Sequence, residues 1–342
     1  YAYITYIGFG MAYTAINIPY GSLASVMTND PVQRTELSTW RNISSIFAMI
    51  PLMVLTPKLV FDASDAVSPK GFLIAAVLYV IIANIGYRLC YKMTTERIIN
   101  EVKEDAPKAS LGETLKTLGK NKALIGLILS SLGTLTAMFL PNALSAYLFK
   151  DYFQAPGLLS LAGLLPMVGT FLAIPVTGKL VAKFGKKNIA IYSGIVSIAA
   201  YVVLVLFPTK NPMLYIALIT VSGFGTALYG MIVWALVGDV IDYQEYLSGK
   251  REEGIVYATY SLSRKLVQAI VGSIGGFALA AIGYQSGAAT QAPEVAESIR
   301  TIITVVPLIG FIFGTVCLKF VYNLSNKTLN EVNEELERRR AQ

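Results

Sequence analysis

Apolar stretches of roughly 20 residues, the length a helix needs to cross the hydrocarbon core of a bilayer, recur along this chain and fix what it can fold into. They lie at about 2–27, 41–60, 71–92, 123–149, 158–180, 188–207, 213–238, 255–283 and 300–322. With 54% hydrophobic and 14% charged residues among 342, the chain has too little polar surface to cover a water-soluble globule. The pattern predicts an all-α polytopic membrane protein with about nine transmembrane helices. Pro, Gly and Ser interrupt most of the stretches, which membrane helices tolerate when neighbouring helices re-satisfy the freed backbone groups.

Lysine and arginine set the expected orientation, because cytoplasmic loops hold the excess of both. If residues 28–40 lie inside, most of the 28 basic residues fall on that side, including those of 93–122 and the C-terminus. The expectation is a multi-pass protein of the plasma (inner) membrane with loop 28–40, loop 93–122 and the C-terminus cytoplasmic. The net charge of +7 is then a matter of topology. Nucleic-acid binding, which needs clustered basic and aromatic residues on a soluble domain, is excluded as a function. The chain has no histidine and two cysteines, Cys90 and Cys317, near the ends of apolar stretches. That removes His-based acid/base catalysis, Ser-His-Asp triads and common zinc sites. Neither a catalytic residue nor a metal site is expected.

Gly8-Phe9-Gly10-Met11-Ala12 recurs as Gly223-Phe224-Gly225-Thr226-Ala227. Each copy opens an apolar stretch that ends in an acidic, then basic, turn, and parallel halves are one plan on which secondary transporters are built. The second copy is the fourth helix after the polar connection 93–122, whereas the first is the first helix of the chain. The count predicts three further helices ahead of Tyr1, so the chain reads as helices 4–12 of twelve, with a truncated N-terminus. Residues 1–92 are then the last three helices of an N-terminal six-helix bundle and 93–122 a central cytoplasmic loop. Residues 123–322 form a C-terminal six-helix bundle and 323–342 a cytoplasmic amphipathic tail, with Leu329, Val332 and Leu336 at helical spacing. Ser110 and Glu113 read as a capping box for a short helix in the central loop.

Helical spacing puts Tyr13, Asn17 and Tyr20 on one face of the first helix, with Thr14 one turn from Asn17, while Pro19 frees a backbone carbonyl. The oxygens of Thr14 and Asn17 suit a hard cation, which takes several oxygen ligands, and the tyrosines offer stacking faces. Interhelical hydrogen bonding explains the same polar groups equally well. Lys265 sits ten residues into its stretch, where a cation costs about 2.5 to 3.5 kcal/mol on insertion scales and needs a partner. Its neighbour Arg264 faces elsewhere, to snorkel or to pair across helices. Arg41, at a helix mouth, reads either as a ligand contact or as a headgroup-level residue. Trp234 reads either as cavity lining or as packing, and Gly272 with Gly276 as a small-residue helix contact.

Tyr13-Thr14-x-x-Asn17-Ile-Pro-Tyr20-Gly21-Ser-Leu, followed by Asp30-Pro-x-x-Arg34, resembles the glycoside-pentoside-hexuronide:cation symporters, relatives of the melibiose permease within the major facilitator fold. Gly238-Asp239-x-x-Asp242-Tyr-x-Glu245-Tyr and Arg251-x-Glu253-Gly-Ile-x-Tyr257 carry the same resemblance. It implies a cation site at Thr14, and at Asn17 a position that is often an aspartate shared by cation and sugar. Here that position is an amide, which cannot bind a proton. The resemblance also implies sugar contacts from Tyr13, Tyr20, Arg41, Trp234, Tyr260, Ser261 and Lys265. Gly21 stands where the melibiose permease has a tryptophan against the sugar. No cofactor is implied beyond a coupling Na+ or H+.

Asp239, Asp242 and Glu245 follow one another at i, i+3 on a helix face, close to Arg251. The expectation is a cytoplasmic gate of weak, exposed ion pairs, offered Asp30, Arg34 and Arg41 by the opposite half. The expected function is cation-coupled symport of a glycoside, pentoside or hexuronide by alternating access, with a small-molecule sugar and the lipid bilayer as partners. No protein partner is identified. Two other readings stay open: a transporter of the same fold for a lysolipid, or a non-transporting membrane sensor.

Overall fold

A computed structural model describes residues 2–28, 30–60, 69–95, 97, 117–285, 288 and 291–340. Every regular element among them is helical. The long helices are α1 (Ala2–Met27), α2 (Pro31–Val60), α3 (Pro69–Met93), α4 (Lys122–Tyr147), α5 (Leu159–Phe184), α6 (Lys186–Leu206), α7 (Pro212–Ser248), α8 (Glu253–Ala281) and α9 (Pro293–Val316). A shorter α10 (Asn326–Arg340) follows. Six of them, α3 to α7 and α9, are long and apolar enough to cross a membrane. The sequence predicts about nine spans. The other three long helices carry more polar residues: tyrosines, Asn17 and Pro19 in α1, Arg264 and Lys265 in α8, and polar first turns in α2 ahead of its apolar run. All-helical architecture follows from the solvent: inside a bilayer each backbone group must find its partner within the protein.

The expected loop 28–40 is mostly helix. Asp30 accepts a hydrogen bond from the Val32 amide at 2.8 Å, and Pro31 stands first in the helix, so α2 starts ten residues before its apolar run. Asn121 and Asn211 cap α4 and α7 in the same way. Gly249, at φ +69°, closes α7, and Gly185, at φ +81°, turns α5 directly into α6.

Helices α4 to α9 form the packed body. α4 lies against α8 and α9, α7 between α5 and α6, and α6 also against α9. Small residues permit the closest approach: a Cβ on Gly133 would stand 2.4 Å from the Gly310 carbonyl oxygen, and one on Gly314 2.9 Å from that of Ser130. The predicted pair Gly272 and Gly276 does not serve this role, since a Cβ at either meets nothing within 4 Å; Gly275, against Ala143, makes the contact instead. The two copies of the glycine repeat also differ. Gly8 and Gly10 face open space, whereas Gly223 and Gly225 pack against backbone oxygens of Pro166 and Ser193.

α1 and α2 pack against α7 and α8, and α3 packs against α2 with most of its apolar surface outward. α10 buries Leu329, Val332 and Leu336 against the end of α7, where Arg339 donates to the Tyr246 carbonyl at 3.1 Å. The predicted capping box at Ser110 and Glu113 lies outside the described residues.

Candidate functional site

The junction of α1 and α2 with α7 and α8 carries two polar layers. In the first, the Lys265 ammonium donates to Thr14 Oγ1 at 3.1 Å and lies 4.6 Å from the centre of the Tyr13 ring. Thr14 in turn donates to the Gly10 carbonyl at 2.7 Å. The cation in mid-span thus meets a hydroxyl and an aromatic face. Asn17, half-buried, is one turn further along α1.

Deeper in the same layer, the Arg41 guanidinium sits 4.2 Å from the centre of Trp234 and 5.2 Å from that of Tyr20. It also donates to the Tyr257 hydroxyl at 2.8 Å. Trp234 stacks on Tyr257 with ring centres 5.3 Å apart. Arg264 approaches the same indole at 5.1 Å. Arg41, Arg264 and Lys265 therefore converge on one aromatic cluster. None of the three lies within ion-pair distance of a carboxylate among the described residues. Gly21, Arg34, Ser38, Arg41, Trp234 and Gly238 line a cleft of about 30 Å³, room for about one water.

Tyr260 and Gly21 lie in packed surroundings. Tyr260 is fully buried, with its hydroxyl 2.7 Å from Ser131 Oγ and its ring edge-on to Trp234. It supports the indole from behind, within the packed body. Gly21 has no room for a side chain in this arrangement, because a Cβ there would fall 1.7 Å from Tyr257 Cζ. The glycine lets α1 close on α8 at that ring. Ser261 is half-buried on α8, one turn before Lys265.

The second layer is ionic. Arg34 on α2 pairs closely with Asp242 on α7 and approaches Asp239 at 3.9 Å. Lys186 pairs closely with Asp239. Arg251 reaches Asp242 at 3.0 Å and Glu245 at 2.7 Å, and pairs closely with Glu253. Burial disfavours the charge on Arg251, but Asp242, Glu253 and Glu245 outweigh it and hold the guanidinium above its usual range.

These side chains of Arg34, Lys186, Asp239, Asp242 and Arg251 are only 4 to 5% exposed, or less. The expected weak, exposed pairs are thus a buried network, in which stranding a charge without any partner costs about 3 to 5 kcal/mol. Its membership differs too. Asp30 caps α2 and is exposed, and Arg41 belongs to the aromatic layer. Lys186, which the sequence reading did not single out, pairs with Asp239 and so joins the network.

α2 binds α7 through further groups that the sequence reading did not single out. Ser38 donates to the Met231 carbonyl and Asn42 to that of Gly230. Arg34, Ser38, Arg41 and Asn42 follow the i, i+4, i+7, i+8 spacing of one helix face, the signal that was available.

The chain matches the family described as MFS/sugar transport protein over residues 1–326. It belongs to that family. Among its relatives is the glucuronide carrier protein homolog of Escherichia coli strain K12, 31% identical over 99% of this chain and 73% of the relative. The uncharacterized symporter YjmB of Bacillus subtilis strain 168 is also 31% identical, over 98% of this chain and 72% of the relative. The protein named "Putative glycoside/cation symporter YagG" of Escherichia coli strain K12 is 26% identical over 100% and 73%. The protein is therefore a multi-pass sugar transporter of the major facilitator superfamily and not an enzyme.

Proposed function

We propose that the protein is a cation-coupled symporter of an acidic sugar, a hexuronide or its glycoside. One observation carries the choice of substrate: Arg41 and Arg264 lie on Trp234 and Lys265 on Tyr13, with no carboxylate within ion-pair distance of any of the three among the described residues. Each such cation in a span costs about 2.5 to 3.5 kcal/mol, and a sugar carboxylate arriving between them offsets that cost. Charge-assisted hydrogen bonds to guanidinium then add orientation, while Trp234, Tyr13 and Tyr20 present ring faces to the sugar. The name of one relative, glucuronide carrier protein homolog, supports a sugar of this charge.

Thr14 and Asn17 supply the oxygens for the coupling Na+ or H+, the side of the reading that the name glycoside/cation symporter supports. A cation beside Thr14 displaces Lys265 from its hydroxyl and frees the ammonium for the sugar, which couples the two ligands through one residue. The ionic layer is the gate. Arg34 ties residues 1–92 to the six-helix unit 123–322, and the positive-inside count assigns this closed end to the cytoplasm. Release of the network lets the two units rock about the central site, with 93–122 as the loop between them and 323–342 as the tail on the cytoplasmic face.

Uptake into proteoliposomes tests the reading. A glucuronide should accumulate only under an inward Na+ or H+ gradient, and collapse of the gradient should release it. Uptake indifferent to both gradients removes the coupling, and lysolipid uptake without sugar uptake replaces the cargo.

A further inference from the structure

A second cavity lies at the opposite end of the α4–α9 body from the ionic layer. It encloses about 440 Å³, within the range of small-molecule sites, and is bounded by α4, α5, α6, α7 and α9. Among the described residues no charged side chain lines it. Its walls carry the rings of Phe149, Tyr201, Tyr215 and Phe311, together with the polar groups of Asn142, Ser145, Ser222 and Thr226.

Tyr201 and Tyr215 are each about 4% exposed, yet neither hydroxyl has a hydrogen-bond partner among the described residues. Three other buried tyrosines in the same body are paired, Tyr229 and Tyr260 with Ser131 and Tyr257 with Arg41, while the Tyr322 hydroxyl is buried without a partner among the described residues. Neither the Tyr201 nor the Tyr215 hydroxyl is among the polar atoms sealed from water without a partner, so each opens onto the cavity that its residue lines and takes its partner from there. Ser145 and Thr226 donate to backbone carbonyls at Pro141 and Gly223, which leaves their oxygens as acceptors facing the same space. Two free donors, several hydroxyl acceptors, four aromatic rings and no charge describe a receptor for an uncharged polyhydroxy ring. An acyl chain would leave both phenols unsatisfied, and an anion would find no cation.

We infer that this cavity is a second ligand site, separate from the cationic layer, that takes a neutral sugar. Its occupant differs in charge from the proposed transport substrate, so the two sites sort ligands by charge.

The test uses the purified protein in lipid nanodiscs free of sugar detergents, titrated calorimetrically with methyl β-glucopyranoside. Binding should persist in Lys265→Ala, which disables the cationic layer, and so does not depend on the transport reading. Tyr201→Phe with Tyr215→Phe keeps both rings and removes both hydroxyls; it should weaken binding roughly tenfold. Gly163→Leu, at a lining glycine whose Cβ would meet nothing within 4 Å, should abolish binding by filling the space. Absence of binding to the unmodified protein, loss of binding in Lys265→Ala, or equal affinity in the double phenylalanine variant overturns the inference. So does a copurifying lipid that Gly163→Leu expels.

Discussion

Replacing Arg34 by glutamine removes the one arginine that joins α2 to the acidic face of α7, and the surroundings allow its effect to be sized. Asp242 keeps Arg251 at 3.0 Å, and Asp239 keeps Lys186. No carboxylate is therefore orphaned, and the 3 to 5 kcal/mol of a stranded buried charge does not apply. What is lost is a charge-assisted hydrogen bond, about 1.5 to 3 kcal/mol, which favours opening of the gate by roughly ten- to hundredfold.

Asp242→Asn works the other way. It leaves the buried Arg34 with a 3.9 Å approach to Asp239 and takes one acid from Arg251, so its cost should move toward about 3 to 5 kcal/mol. Spin labels at Val32 and Leu247, exposed positions beside the network on either side, report the opening as a distance distribution. The long-distance population should rise in Arg34→Gln and rise further in Asp242→Asn. In both it should change little between low and high salt, because the pairs are out of reach of screening ions. Equal distributions in all three proteins, or a larger shift in Arg34→Gln, would refute the argument.

Lys265→Ala should abolish sugar accumulation while the protein still inserts and folds; undiminished uptake in proteoliposomes removes the lysine from the site. Asn17→Asp adds a carboxylate one turn from Thr14 and should alter the choice or affinity of the coupling cation, read as the Na+ and H+ dependence of uptake. Gly21→Ala drives a methyl group into the Tyr257 ring, which is held by Trp234 and Arg41. It should cost about 1 to 3 kcal/mol of stability, seen as a lower Tm; an unchanged Tm would contradict the close approach of α1 to that ring. Glu335 is held below the usual carboxylate range by hydrogen bonds from Arg339 and Arg338. That contribution to α10 is present above the unfolded-state value and is lost as pH falls through the folded-state one. Hydrogen exchange, corrected for intrinsic rate, should show α10 loosening over that acidic window, and constant protection would contradict it.

Much of the fold was legible because helix period and apolar length are local properties. The long helices, the amphipathic tail and the face shared by Asp239, Asp242 and Glu245 all follow from spacing. The start of α2 was hidden because its first turns are polar, and a cap at Asp30 with Pro31 is a weaker signal than an apolar run. The small-residue contact was misplaced because GxxxG spacing marks a face able to pack without saying that a partner is there. Gly133, Gly310 and Gly314 have one, whereas Gly272 and Gly276 do not.

The sequence by itself settled what could be decided residue by residue. The chain lives in a bilayer, carries cations where cations are costly, and belongs to a sugar-transport family rather than to an enzyme class. Tertiary structure decided which charges are balanced. Arg34 and Arg41 lie seven residues apart on one helix, yet one is neutralised by acids on α7 and the other lies on an indole with no acid within ion-pair distance among the described residues. Their difference is created by residues some 200 positions away in the chain. Such pairings depend on distances between helices, which local periodicity does not encode.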